Sequence, residues 1–192
     1  MFYIINEKLK EGFTEDLINK DISLSNFRNY ILIAINLKKY KWVNDFINKY
    51  GPLLKPDIRD DFMNLGKAIL MFEKKDFKNS QKLLMQVKKK NPFNFVDVSV
   101  LMLKVFFELN NPDDCHDELR KFNEYLRKDR NVKDLLIVNA KNFCKGYTML
   151  LKVKQNPTKK YIIELQFFLS KNLLIGKKWI EKKLNEIISG IN

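Results

Sequence analysis

Three residues at the starts of helix-like segments, Tyr40, Phe77 and Pro112, recur at intervals of 37 and 35 residues. Each is followed three, seven and ten residues later by a triplet of core-type side chains: Val43/Ile47/Tyr50, Ser80/Leu84/Val87 and Cys115/Leu119/Phe122. Steps of three and four lie on one face of a helix. A fixed period of this size marks helical units that cannot bury their apolar face alone and must stack on a neighbour. Arrays of this kind bind other molecules rather than transform them, so the echo predicts a class of activity without naming a ligand.

The rest of the composition agrees with helix. Only 6 Gly and 5 Pro interrupt 192 residues, and 45% of the chain is hydrophobic, so it has the material for one domain or one continuous solenoid. No uncharged apolar run reaches about 18 residues, so no membrane insertion is expected. The start, Met1-Phe2-Tyr3-Ile4-Ile5, lacks the basic residues and small-residue cleavage site of a signal peptide. Cys115 and Cys144 have neither a disulfide-framework nor a metal-finger spacing and read as buried free thiols, which fits a reducing, cytoplasmic location.

Punctuation residues divide the chain. Phe2 to about Glu11 looks helical without a capping residue ahead of it, which suggests the C-terminal part of something longer. A short helix is predicted over Thr14 to Asn19. Ser23-Leu24-Ser25-Asn26 starts the next, followed after Lys38-Lys39 by Tyr40 to Tyr50, which Gly51-Pro52 ends through a left-handed cap. Pro56-Asp57 opens a helix to Phe72, Lys74-Lys75-Asp76 turns the chain, and Phe77 to Lys89 returns. After Asn91-Pro92, Phe95 to Leu109 reads as a buried helix, and Asn111-Pro112 caps the next one. Val132 to Val153 carries Leu136, Ala140, Phe143, Tyr147 and Leu150 with Leu135 and Met149 beside them, an arc wide enough to be sandwiched. Two further helices start at Asn156-Pro157 and at about Leu174, where Trp179 reads as a packing anchor. Three regions result: 1–22, an N-terminal helical segment; 23–130, helix pairs; and 131–192, a basic helical end.

The middle unit carries the clearest motif. Phe62, Leu65-Gly66 and Ala68 precede Phe72, Asp76-Phe77, Ser80, Leu84, Val87 and Pro92. This order resembles the tetratricopeptide repeat, with a first helix about two residues longer than that family's pattern. Gly66 and Ala68 would let a partner helix approach, Phe77 would fill the turn, and Ser80 would be small where two helices cross. Phe27 to Tyr50 is similar to a copy without the Leu-Gly, and Phe95 to Phe122 to one in which Pro112 replaces the aromatic and Cys115 takes the small position. The whole resembles the C-terminal region of tetratricopeptide-like helical proteins of bacteria. The resemblance implies an all-α fold: a right-handed α-α superhelix, a TPR-like solenoid of stacked antiparallel helix pairs with a helical C-terminal cap. It also implies a non-enzymatic scaffold whose first helices line a groove for an unidentified protein or peptide. Carried over by position, the groove candidates are Arg28, Leu32, Asn64, Lys67, Met71, Val98 and Met102. Of the set with which some family members clamp a C-terminal carboxylate, only Asn64 is present. Arg28 is a basic substitute and Leu32 stands where an Asn belongs, so the clamp does not carry over.

The net charge of +13 raises a second reading, nucleic-acid binding. From residue 141 onward, 11 Lys face 3 Glu. The candidate basic surface is Lys152, Lys154, Lys159, Lys160, Lys177, Lys178, Lys182 and Lys183, with Tyr147, Tyr161, Phe167, Phe168 and Trp179 interleaved. Two observations weigh against it. Only 5 of the 36 basic residues are Arg, the side chain suited to bidentate phosphate and base contacts. The aromatics also recur at helical spacing, which favours a core role with the lysines forming a solvated face.

No catalytic constellation emerges. His116 is the only histidine, and it follows Cys115 on a helix, where adjacent side chains diverge by about 100° and cannot act as a nucleophile–base pair. The acids around it, and Asp57, Asp60 and Asp61, read as charged first turns of helices. A single histidine almost closes off His-based metal centres and Ser/His/Asp triads, Gly66 and Gly146 are isolated, and no cofactor is expected.

Overall fold

The computed structural model describes residues 24–88, 92–128 and 135–190. Among them the regular structure is helical, with no strand. The readings for Phe2 to Glu11, Thr14 to Asn19, the Ser23 cap, Asn91 and Arg130-Asn131 lie outside the described residues. The helices are α1 (Leu24–Asn36), α2 (Tyr40–Tyr50), α3 (Pro56–Glu73), α4 (Phe77–Met85), α5 (Pro92–Glu108), α6 (Pro112–Lys128), α7 (Leu135–Gln155), α8 (Lys159–Lys171) and α9 (Lys177–Ser189). They group into two compact units that meet in sequence at Asn110 and Asn111. The sequence reading put the corresponding boundary at residue 130. Helix α6, read there as the second helix of a third pair, belongs to the C-terminal unit.

In the N-terminal unit each helix packs on the next, from α1 through α5. The odd helices also pack directly, α1 on α3 and α3 on α5, whereas α2 and α4 make no close approach among the described residues. The echo explains the even helices. Val43, Ile47 and Tyr50 on α2, and Ser80, Leu84 and Val87 on and just past α4, are all buried. Phe46 completes the α2 stripe and holds a ring cluster, with Phe27 at 5.2 Å, Tyr30 edge-on at 6.0 Å and Trp42 stacked at 4.9 Å.

The turns repeat as well. Lys38, Lys75 and Asn110 are the non-glycine residues with positive φ among those described, and each lies two residues ahead of an echo residue. The Lys38 and Lys39 amides bond to the Ile35 and Ala34 carbonyls, and the Lys75 and Asp76 amides to those of Phe72 and Met71, all at 2.9 Å. These are the paired closing bonds of a helix that ends on a left-handed residue. Phe77 packs on Phe72 across its turn at 5.4 Å. Asp76 caps α4 by accepting the Asn79 amide.

Gly66 sits where α1 and α2 converge on α3. A Cβ there would come within 2.8 Å of Ile31 Cδ1 and 3.0 Å of Ile47 Cδ1. Two residues further along α3, the buried Ser80 hydroxyl donates to the Ala68 carbonyl at 2.9 Å, which draws α4 onto α3.

Two local readings change. Gly51 is right-handed, not a left-handed cap (φ −54°); it begins a 3₁₀ turn over Gly51–Leu53 and is needed because a Cβ would lie 2.6 Å from Met63 Cγ. Asp61 is no first-turn cap. It is buried, and its Oδ1 accepts the Lys88 amide beyond α4 at 2.9 Å, satisfying a backbone donor that follows the helix. Helix α4 accordingly stops at Met85, short of Lys89.

The C-terminal unit is built on α7, which packs against α6, α8 and α9. Helix α7 is sandwiched, as its wide apolar arc predicts, but on a shifted face: Ile137, Ala140, Phe143, Cys144, Tyr147, Leu150 and Val153 are buried, whereas Leu136 and Met149 are half-buried and Leu135 is 65% exposed. Helix α6 presents Cys115, Leu119, Phe122 and Leu126 from one face. Its Asn111 cap accepts the Asp114 amide at 3.4 Å and donates to the Asp114 carboxylate at 2.6 Å. Acids in its first turn and Arg127 and Lys128 in its last complement the helix dipole. Helix α9 begins at Lys177 rather than near Leu174, because Gly176 ahead of it is left-handed (φ 70°). Trp179 stacks on Tyr147 at 6.1 Å, the anchoring role read from its position.

Candidate functional site

The groove candidates lie on the odd helices of the N-terminal unit: Arg28 and Leu32 on α1, Asn64, Lys67 and Met71 on α3, Val98 and Met102 on α5. Within each helix the spacing of three, four or seven puts them on one face. Helix α1 packs on α3 and α3 on α5. Leu32, Asn64, Lys67 and Met71 are half-buried, partly open to a partner, and Asn64 donates to the Gln86 side chain at 3.4 Å. Val98 and Met102 are a correction: both are buried and do not line an accessible surface. Helix α5 is apolar almost all round, with Val96, Val98, Val100 to Leu103 and Val105 to Phe107 buried, so its sequence does not distinguish a groove face from a core face.

Arg28 is engaged. Its guanidinium grips the Asp97 carboxylate with both prongs, through Nε to Oδ2 and through Nη2 to Oδ1 at 2.7 Å. The pair runs from α1 to α5, both of which rest on α3, and so bridges helices two pairs apart. In a regular open solenoid each repeat touches only its neighbours. Here the odd-helix face is tied across at the end where Arg28 lies. The Asp97 hydrogen bonds hold the guanidinium above its ordinary range despite partial burial. On the same helix as Asp97, burial pushes the Lys104 ammonium down to about 8, against the pull of Glu73 and Asp97.

The eight lysines of the C-terminal unit do not form one patch. Lys152, Lys154, Lys159 and Lys160 are exposed around the short turn between α7 and α8. Lys177 and Lys178 open α9, beyond the far end of the 13-residue α8, roughly 20 Å along that helix at 1.5 Å per residue. Lys182 and Lys183 turn toward Glu186, at 3.9 and 2.7 Å. The interleaved aromatics divide as well. Tyr147 is buried and Trp179 half-buried, but Phe167 is 65% exposed and Ile163, one turn earlier, is 52% exposed. The reading of these aromatics as core therefore fails at Phe167. The signal was present in the sequence: the apolar residues of Tyr161 to Leu169 are too many for the single face that Leu165 and Leu169 bury.

His116 is exposed and Cys115 buried, so the two side chains diverge, and the Cys115 Sγ contacts the Tyr147 hydroxyl at 3.0 Å. Burial pushes both thiols up, that of Cys144 to about 12, which leaves them as thiols rather than thiolate nucleophiles. Among the described residues no three His, Cys, Asp or Glu side chains gather as metal ligands. No described helix is long and apolar enough to cross a membrane. Comparison with protein-family models, curated proteins and solved structures finds no match to this chain.

Proposed function

We propose that the chain is a non-enzymatic helical-repeat scaffold that mediates protein–protein interaction. In this reading the N-terminal unit is a tetratricopeptide-like stack of antiparallel helix pairs in a right-handed superhelix, and the C-terminal unit is a separate helical unit that follows it in the chain. The observation that carries it is the repeat of one backbone device: a left-handed residue two positions ahead of each echo residue, at Lys38, Lys75 and Asn110. Sequence period and turn geometry coincide, as they do in stacked repeats. The partner surface is the half-buried part of the odd-helix face, Leu32, Asn64, Lys67 and Met71. Affinity purification of the full chain should retain a stoichiometric protein partner that Lys67→Glu and Met71→Asp both release. Retention of that partner by both variants, or absence of any stoichiometric partner, refutes this surface.

Nucleic-acid binding is the second reading, favoured by the exposed Lys152, Lys154, Lys159 and Lys160 at one end of the C-terminal unit. Phosphate contacts release counterions, so affinity for RNA or DNA must fall steeply with salt. A titration at low ionic strength that shows no binding removes this reading.

A further inference from the structure

We draw no further inference here: the strongest candidate, the open hollow at the turn from α1 into α2 lined by Lys38, Lys39, Tyr40, Lys41, Trp42 and Asp45, is the N-terminus of one helix ringed by solvent-facing lysines, and nothing in the structure shows what would occupy it.

Discussion

Lys38 and Lys75 stand 37 residues apart and hold the same left-handed backbone, with φ of 56° and 64°. Each ends an odd helix and feeds the echo residue, Tyr40 or Phe77, that opens the even one. The chain thus reverses twice by the same device at the same place in the period, which keeps α1 with α2, and α3 with α4, as hairpins of like geometry.

Neither lysine is well suited to that conformation. A left-handed backbone costs an L-residue about 1–2 kcal/mol, while glycine adopts it freely and gives back about 0.5–1 kcal/mol through a more flexible unfolded chain. Both side chains are exposed, so no packing is lost. Lys38→Gly and Lys75→Gly should each stabilise the protein by about 0.5–1 kcal/mol in urea unfolding. Destabilisation would show that the turns are not left-handed in solution.

Leu84 is 1% exposed on α4, at the centre of the second echo triplet. Truncation to Ala should cost about 2–5 kcal/mol, the range for a packed aliphatic side chain whose cavity does not collapse. A denaturant midpoint unchanged by Leu84→Ala would remove α4 from the core and break the register of the repeat.

Asp61 satisfies the Lys88 amide from inside the packing of α3 and α4. Asp61→Ala leaves that donor without its acceptor and should destabilise by about 1–3 kcal/mol, with Asp61→Asn recovering part of the loss because its side-chain oxygen can still accept. Amide hydrogen exchange at Lys88 should quicken in the Ala variant. Unchanged exchange there would mean that the bond is not formed.

Lys104 gives the stability curve a basic limb. Its ammonium titrates near 8 in the folded protein, against the ordinary value of 10.5. Across that window the unfolded chain binds more protons than the folded one, so this residue makes stability rise with pH. Below pH about 8 both states carry the charge and the penalty is fully present; above about 10.5 it is gone. Urea midpoints of wild type and Lys104→Met, measured at about pH 7 and about pH 9, should move in favour of wild type at the higher value. Parallel shifts in the two proteins would show that the ammonium is not desolvated.

Much of the helix layout was legible along the chain. Pro56, Pro112, Asn111 and the 74–76 turn act within a few residues of themselves, and apolar steps of three and four report which side of a helix is buried whatever it packs on. That is why all nine side chains of the echo triplets are buried. Gly66 was legible for a related reason, since a residue without Cβ on a helix interior has few explanations other than close approach. The candidate site was less so. Arg28 was read as a groove residue from its position, but its partner Asp97 lies 69 residues away and nothing local links them. Val98 and Met102 were assigned to the same face, although α5 is apolar on nearly every side and its periodicity carries no direction.

By itself the sequence determined the all-α class, the positions of the main turns and the inward faces of amphipathic helices such as α2 and α6, because each depends on short-range sterics and helical spacing. The tertiary structure decided where the other faces lie. It closed Arg28 onto Asp97, drew Asp61 to the Lys88 amide and buried Val98 and Met102. It separated the lysines of the C-terminal unit to two ends of α8, and it left Ile163 and Phe167 open to solvent. Each of these depends on which helix comes to lie beside which, and residues distant along the chain set that arrangement by packing.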